Sequence, residues 1–407
     1  MSLPRLQDFP EVLFRSTSST SFLPVVDGLR FLAILPVVVQ HLSERVIRIA
    51  EARELATPFD YALMNMLPRG RLGVELFFVI SGLIISYPFI QAHYRRSTMP
   101  KIKAFYLRRL TRLEPPYLLV MIGIYLFVQS TGHVPEGTLA FSRSDVSMET
   151  SLLVSLGYLH GVLIGTTPTL NPPAWSLEIE FQFYFLAPLI ILALFQLRRP
   201  LHIFIGMMSV VAGTVAIGHI YSHPFGIDHV FLVTKYLQFF VAGMIVNMIT
   251  FGGLVPKRIS QGLWDFIFVM AAVALYVISN LISRNQASMW ADGLQSITFV
   301  IFILAAFNGN LFKSLLSRPW VYAIGGMCYT IYLIHLPILH VLTGVVMRTT
   351  GLVSFLPGMM ISAVILVPVL FVASVAFFLL IEKPCMNPKW PVDLLRWTKS
   401  RFHHSER

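Results

Sequence analysis

The chain has 407 residues, of which 56% are hydrophobic and only 13% are charged. This composition predicts an all-α polytopic membrane protein and excludes a large soluble core. The formal net charge is +11, but the basic residues cluster between apolar runs, which is typical of membrane topology, so no nucleic-acid partner is expected.

The apolar runs divide the chain into three parts. We expect a cytoplasmic lead-in over residues 1–25, a membrane domain over 26–384 and a basic cytoplasmic tail over 385–407. The first 20 residues lack a long apolar run, so the first helix, rather than a cleavable signal peptide, is expected to direct insertion. About ten transmembrane helices are predicted, at residues 28–44, 72–92, 116–130, 175–197, 201–221, 229–250, 263–283, 290–311, 321–346 and 357–382.

One further apolar run, residues 151–165, is too short for a straight span. We interpret it as a short re-entrant or interfacial helix. With this choice both termini are cytoplasmic, and the cytoplasmic segments hold 22 of the 31 Lys and Arg residues. Counting the run as a span would turn every later loop outward, against the positive-inside rule.

The first predicted helix carries two ionisable residues on one face. His41 follows Arg30 by eleven residues, which at about 100° per residue returns to nearly the same face and at about 1.5 Å per residue lies about 16 Å deeper. An ionisable group at that depth is costly and marks a candidate functional site. The alternative is a snorkelling arginine and a histidine packed between helices. Asp27, one turn before Arg30, favours the functional interpretation.

The second predicted helix, LGVELFFVISGLIIS, contains an acid and a pair of small residues. Ser81 and Gly82 predict close helix packing. A carboxylate inside a helical bundle usually has a partner. If Arg69 or Arg71 is the partner of Glu75, the acid is structural; otherwise it is a candidate for acceptor binding.

The densest basic stretch ends in FYLRRLTRLEPPY. Arg109 and Arg112 share a helical face, with Arg108 beside them. Guanidinium groups bind phosphate oxygens in bidentate fashion, so the pair is a candidate phosphate clamp. The alternative is charge that only sets topology. Pro115–Pro116 is expected to end this segment before the third span.

Two later helices carry polar groups at membrane depth. The fourth opens with NPPAWSLEIEF, in which Glu178 and Glu180 are costly unless paired or hydrated. Trp175 fits either an interfacial aromatic belt or a sugar-stacking platform. In the ninth, three side chains at i, i+3 and i+6 form one stripe that ends in a histidine; such a stripe is commonly core, but an intramembrane histidine favours a site. The stripe consists of Tyr329, Tyr332 and His335.

Cysteine usage adds no site. Cys328 and Cys385 lie in or beside predicted helices and have no CxxC spacing. Neither a disulfide framework nor a metal site is therefore predicted.

Six motifs taken together resemble the acyltransferase family 3 of integral-membrane O-acyltransferases, from about Val25 to Pro384. They are VVDGLRFLAILPVVVQHL, GVELFFVISGLIIS, FYLRRLTRLEPPYLL, PPAWSLEIEFQFYFLAPLI, YTIYLIHLPIL and the closing IEKP. The resemblance implies that the Arg–His pair of the first helix, here Arg30 and His41, is essential. Many members carry a soluble hydrolase-like domain after the last span; this chain stops about 25 residues after its last helix, so all chemistry is expected in the membrane part.

Other family positions map onto this sequence by the same resemblance. The family's Arg-x-x-Arg matches Arg109 and Arg112. Its acidic position before the FFV-x-SG run is Glu75 here, where Asp is common. Its Trp-Ser-Leu-x-x-Glu motif matches Trp175 to Glu180, with Glu178 as an additional acid.

The resemblance implies an enzyme of the bacterial inner membrane. Its donor is expected to be cytoplasmic acyl-CoA, acetyl-CoA foremost, and its acceptor a hydroxyl of a sugar or glycolipid, or else of an antibiotic or other small molecule. No metal is expected, and the oligomeric state is not predicted. The imidazole would act as a general base or would itself attack the thioester, the base being favoured. The rivals are a proton-coupled transporter and a glycan export partner, but the chain shows no paired halves of the kind transporters often have.

The expected roles follow from these motifs. The catalytic residues are expected to be His41, Arg30, Glu178 and His335. Acyl-CoA is expected to be bound by Arg30, Arg108, Arg109, Arg112, Tyr329 and Tyr332. The acceptor is expected to be bound by Glu75, Trp175, Glu178 and Glu180.

Overall fold

The structure is a computed structural model that describes residues 10–15, 24–134, 145–195, 197, 200–220, 231–283, 290–351, 354–387 and 390. Over these residues it contains helices and turns and no strand. The helices are α1 Pro24–Glu51, α2 Pro58–Met66, α3 Gly70–Tyr94, α4 Ile102–Thr131, α5 Met148–Leu156, α6 His160–Ile164, α7 Trp175–Phe195, α8 Pro200–Ile220, α9 Leu237–Phe251, α10 Gln261–Ser283, α11 Trp290–Asn308, α12 Leu311–Leu316, α13 Pro319–Gly326, α14 Cys328–Thr349, α15 Phe355–Phe377 and α16 Lys383–Cys385.

The long helices match the prediction of an all-α, multi-pass membrane protein. Within the described residues, eight helices are long and apolar enough to cross a membrane. Two further predicted spans correspond to shorter apolar helices, Leu201–Ala216 and Leu237–Phe251. The count of ten spans and the cytoplasmic side of both termini therefore stay predictions.

Glycines allow the central helices to approach each other closely. A Cβ on Gly82 of α3 would lie 1.9 Å from the carbonyl oxygen of Phe240 in α9, and one on Gly243 of α9 would lie 2.0 Å from that of Val79 in α3. No other residue fits at such a distance, which is the close packing that small residues permit in membranes. The prediction of tight packing at Gly82 is confirmed.

Glycines also bring two other helices, α3 and α13, into close contact with α1. A Cβ on Gly73 of α3 would lie 2.2 Å from the carbonyl oxygen of Ala33, and one on Gly325 of α13 would lie 1.7 Å from that of Asp27. Because backbone touches backbone at both points, α1 has little freedom to rotate. The face that carries Arg30 and His41 is thereby held in one direction.

The expected end of a helix at Pro115–Pro116 is wrong. Helix α4 continues through both prolines to Thr131. A proline lacks the N–H that would bond to the carbonyl four residues earlier, which for Pro115 is that of Thr111. Trp390 Nε1 donates to the Thr111 carbonyl oxygen at 2.8 Å. This side chain replaces the missing bond, so the helix does not have to stop.

The single short helix expected over residues 151–165 is also wrong in detail. The chain forms two helices there, α5 and α6, separated by a turn in which Tyr158 has a φ of 56°. A positive φ is uncommon for a bulky residue and breaks the helical path. The interfacial or re-entrant placement of this region stays a prediction.

Candidate functional site

The charged residues around Arg30 form an interlocked cluster. Asp27 Oδ1 accepts from Arg30 Nη1 at 2.5 Å and from Arg15 Nη1 at 2.9 Å. Arg15 comes from the segment that precedes α1, and its side chain is only 10% exposed. Arg15 was not predicted to belong to this cluster, because nothing in the local sequence pattern shows that its segment folds back onto α1.

Of the three arginines in the predicted phosphate clamp, two contact other side chains of the protein and one is exposed. Arg112 Nη2 lies 3.8 Å from Glu382 Oε1, and Glu382 in turn accepts from Thr330 Oγ1 at 2.6 Å. Arg109 lies over the rings of Phe105 and Tyr184, its guanidinium carbon 5.0 Å from each centroid. By contrast, the Arg108 residue is exposed, as charge that only sets topology would be.

An aromatic pocket of about 350 Å³ opens beside Arg109. Glu180 lies in its wall and accepts from Ser81 Oγ at 2.6 Å and from Tyr184 at 2.7 Å. Tyr329 is also in the wall, with its hydroxyl donating to the Leu113 carbonyl oxygen at 2.8 Å. The structure therefore brings Glu180, an expected acceptor ligand, together with expected donor ligands. The lining residues are Arg109, Leu110, Leu113, Glu114, Tyr158, Leu177, Glu180, Phe181, Tyr184 and Tyr329.

Two buried histidines face each other. The ring centroids of His41 in α1 and His335 in α14 are 5.1 Å apart, and both residues are buried. His335 Nδ1 lies 2.8 Å from the Tyr332 carbonyl oxygen. Because a carbonyl can only accept, we assign the proton to Nδ1. Nε2 then carries the lone pair, and it has no hydrogen-bond partner within the described residues.

A carboxylate lies beside His41. Glu44 Oε2 is 3.7 Å from His41 Nδ1, and Glu44 Oε1 accepts from Gln40 Nε2 at 2.7 Å. The distance is too long for a hydrogen bond but short enough to stabilise a positive imidazolium. Glu44 was not among the predicted site residues, although its spacing of three residues from His41 places both on one helical face.

A second pocket, of about 260 Å³, reaches His41. It lies toward the end of α1 opposite to Arg30, because its other α1 residues follow His41 in the sequence. His41 therefore has a cationic cluster, formed by Arg15, Arg30 and Asp27, on one side and this pocket on the other. The lining residues are His41, Glu44, Arg45, Arg48, Leu336, Leu339 and His340.

Tyr332 connects the Trp-Ser-Leu motif to the histidine pair. Its hydroxyl donates to the Pro173 carbonyl oxygen at 2.7 Å and lies 2.6 Å from Ser176 Oγ. Its ring centroid is 5.7 Å from that of His335. The motif at the start of α7 thus supports the part of α14 that positions His335.

The remaining expected acids have partners of their own. Glu178 accepts from the backbone N–H groups of His160 at 3.2 Å and Gly161 at 2.7 Å, so it caps α6. Burial lowers the pKa of the His160 imidazole below its ordinary value. Glu75 accepts from Arg71 Nε at 2.7 Å and Gln295 Nε2 at 2.8 Å, which is the structural alternative considered for it.

Trp175, the expected acceptor platform, is buried. Its ring packs against Tyr236, with centroids 5.5 Å apart. As for metals, no group of three or more His, Cys, Asp or Glu side chains within the described residues is arranged to hold an ion.

Most of the chain is similar to known acyltransferases. A family model described as "Acyltransferase domain" matches residues 23–383. O-acetyltransferase OatA of Staphylococcus aureus strain NCTC 8325 / PS 47 is 27% identical over 341 residues, which are 79% of this chain and 51% of that protein. OatA of S. aureus strain COL matches with the same identity and coverage. The chain thus spans about half the length of the curated relatives it matches. No solved structure matches the chain.

Proposed function

Because the chain belongs to the acyltransferase family 3, we propose that it is a multi-pass membrane O-acyltransferase. It moves an acyl group, acetyl foremost, from acyl-CoA to a hydroxyl of a sugar or glycoconjugate. The observation that carries the proposal is the buried His41–His335 pair, 5.1 Å between ring centroids, with a cationic cluster on one side and a pocket on the other. The names of the relatives, O-acetyltransferases, support the acetyl group. The membrane is the bacterial inner membrane, and residues 26–384 are the catalytic unit.

The donor binds at the cationic cluster together with two arginines of α4. Arg30, Arg109 and Arg112 supply guanidinium groups for the phosphates of CoA, since charge-assisted bonds to phosphate are strong and directional. The pocket beside Arg109 and Tyr329 accommodates part of the donor. Binding the phosphates there leaves the thioester free to extend along α1 toward His41.

His41 is the general base. The acceptor hydroxyl gives its proton to His41 as its oxygen attacks the thioester carbonyl; the new C–O bond replaces the C–S bond, and the proton then passes to the departing thiolate of CoA. Glu44, 3.7 Å from His41 Nδ1, stabilises the imidazolium while it holds the proton. A direct transfer of this kind needs no covalent acyl-enzyme.

His335 positions the reacting groups. With its Nδ1 proton donated to the Tyr332 carbonyl, its Nε2 lone pair can accept a hydrogen bond from His41 or from the acceptor. The network from Ser176 through Tyr332 keeps the α14 backbone in the orientation that this bond needs.

Release of CoA by the purified protein tests the proposal. Protein in detergent or nanodiscs is incubated with acetyl-CoA and a panel of sugars, with His41→Ala as the control. We expect CoA release that depends on an acceptor and on His41. A protein that releases no CoA but moves protons or glycolipid across vesicles would instead be a transporter or an export partner. Mass spectrometry of envelope glycans from cells with and without the protein then identifies the acceptor by a shift of one acyl group.

A further inference from the structure

The segment that precedes α1 is fixed to the helical bundle. Leu13 is fully buried, and the ring of Phe14 lies against that of Tyr322 in α13, with centroids 4.6 Å apart. Lys383, in the short helix α16, donates from Nζ to the Val12 carbonyl oxygen at 2.5 Å. The next residue after these contacts is an arginine, whose side chain therefore starts from an anchored backbone.

The side chain of Arg15 extends from this segment to the start of α1. Its Cγ atom lies 3.2 Å from the position that a Cβ on Gly326 would take, so the stem crosses α13 where no side chain is present. Its Nη1 donates to Asp27 Oδ1 at 2.9 Å, and the side chain is only 10% exposed. Its Nε is buried and has no hydrogen-bond partner within the described residues. A buried donor without a partner costs free energy, so anchoring alone does not account for a guanidinium group at this place.

Asp27 cannot neutralise both of the arginines that it contacts. Arg15 and Arg30 donate to the same oxygen, Oδ1, and within the described residues neither arginine forms an ion pair with another acid. Two guanidinium charges therefore share one carboxylate charge, and the three side chains together stay positive. Without Arg15, the carboxylate would pair with Arg30 alone, and the guanidinium group of Arg30 would lose most of its attraction for a phosphate.

The arginines of α4 belong to the same electrostatic surroundings. Arg15 is close enough to Arg112 and to Glu382 for their charges to interact. Glu382 is also the acid beside Arg112, at 3.8 Å. Even when this second acid is counted, the guanidinium groups of Arg15, Arg30 and Arg112 exceed the two carboxylates by one charge. The segment before α1 thus supplies the charge that leaves this region positive.

We propose that Arg15 is a positioning residue of the donor site. By sharing Asp27, it keeps Arg30 available for the phosphates of the donor, and the catalytic unit extends from residues 26–384 into the segment that precedes α1. This assignment rests on the proposed function for the identity of the donor. It differs from a purely structural role, in which Arg15 would only hold its segment against the bundle and would affect charged and uncharged ligands equally.

Two ligands that share the thioester arm but differ in charge separate these roles. Acetyl-CoA carries phosphates, and S-acetylpantetheine carries the same arm without them. Calorimetry with the protein in phosphatidylcholine nanodiscs gives the Kd of each, with S-acetylpantetheine measured by displacement of acetyl-CoA. The variants are Arg15→Gln, Arg15→Lys and the double variant Arg15→Gln with Asp27→Asn. Arg318→Gln is the matched control, because it removes an exposed cation at the start of α13.

We expect Arg15→Gln to weaken acetyl-CoA binding by about tenfold, since it removes one charge from the phosphate site, and to change S-acetylpantetheine binding by less than about twofold. Arg15→Lys keeps the charge and should retain most of the affinity. In the double variant, Asp27→Asn removes the carboxylate that would otherwise neutralise Arg30, so acetyl-CoA binding should return to within about threefold of the wild-type value. Arg318→Gln should leave both dissociation constants unchanged.

Two results would overturn the assignment. Equal losses of affinity for the two ligands in Arg15→Gln would show that Arg15 only anchors its segment. A double variant that binds S-acetylpantetheine normally but acetyl-CoA as weakly as Arg15→Gln does would show that Asp27 does not compete for Arg30. Binding of S-acetylpantetheine serves in both cases as the check that the variant is folded.

Inorganic pyrophosphate separates this assignment from the proposed function, because it carries the diphosphate of CoA without the acyl group. Pyrophosphate binding that Arg15→Gln weakens, in a protein that releases no CoA with any acceptor, keeps the role of Arg15 at a phosphate site and removes the acyltransferase assignment. CoA release together with an equal Kd of acetyl-CoA in the wild-type protein and in Arg15→Gln does the reverse.

Discussion

His41 is the residue on which the proposed chemistry most depends, because it lies between the donor cluster and the second pocket. A general base contributes about 10²- to 10⁴-fold to a rate. His41→Ala should therefore lower kcat by about that factor while the Kd of acetyl-CoA stays within about threefold, as expected for a group that acts after binding. The measurement is CoA release under saturating substrate, beside calorimetry of acetyl-CoA. Near-normal turnover in a well-folded variant removes His41 from the chemistry.

Glu44 provides a second test at the same place. Glu44→Gln keeps the size of the side chain and its bond to Gln40 but removes the charge 3.7 Å from His41. Loss of a charge-assisted contact should lower kcat by about 10- to 150-fold with little change in KM. A fall in kcat that is accompanied by a lower midpoint of thermal unfolding would mean that Glu44 supports the fold rather than His41.

The arginines of α4 differ in their surroundings. Arg108 is exposed, whereas Arg109 and Arg112 contact other side chains of the protein, and this difference can be tested. Arg109→Ala and Arg112→Ala should each weaken acetyl-CoA binding by about 10- to 150-fold, since each removes a charge-assisted contact to phosphate. Arg112→Lys should recover little, because an ammonium lacks the planar fork. Arg108→Ala, at an exposed position of the same helix, is the matched control and should change affinity by less than about threefold. Unchanged affinity in all variants would reduce the pair to topological charge.

Between elements, the contact of α3 with α9 depends on missing side chains. Gly82→Ala would place a Cβ 1.9 Å from the Phe240 carbonyl oxygen, so the helices must separate. Such overpacking costs about 1–3 kcal/mol. Gly123→Ala in α4 is the control, because a Cβ there meets nothing within 4 Å, and removing a helical glycine gains about 0.5–1 kcal/mol. Thermal unfolding in detergent should show a lower midpoint for the first variant only; equal midpoints would contradict the packing.

Prolines inside the long helices show where local rules fail. In α14, Pro337 cannot bond to the Leu333 carbonyl, and Asn171 Nδ2 donates to that oxygen at 3.1 Å. In α4, Trp390 does the same for Thr111. Each replacement comes from a residue far away in the sequence. A rule based on proline alone therefore predicts a helix end where the tertiary structure supplies the missing partner.

At the scale of the whole molecule, the sequence predicts those features that depend on the local pattern of apolar and charged residues. Long apolar runs are strong signals, and the long helices of the structure follow them. The shared face of Arg30 and His41 follows from helical period. The pairing of His41 with His335 joins residues 294 positions apart and cannot be read from periodicity. For the same reason, neither the capping of α6 by Glu178 nor the return of Arg15 to Asp27 was predicted.

The last prediction concerns the side of the membrane on which each segment lies. The distribution of Lys and Arg predicts that residues 93–115 and the C-terminal tail lie on the cytoplasmic side, an arrangement that needs an even number of spans after residue 115. Single cysteines at Ser97 and Ser400, introduced after Cys328→Ser and Cys385→Ser, are treated in intact cells with a thiol reagent that does not cross membranes. Both positions should be protected until the cells are opened. Labelling of only one would contradict ten spans, because an odd number would separate the two positions. Labelling of both in intact cells would keep the even number but reverse the orientation, and would place the predicted phosphate clamp on the side of the membrane that cytoplasmic acyl-CoA does not reach.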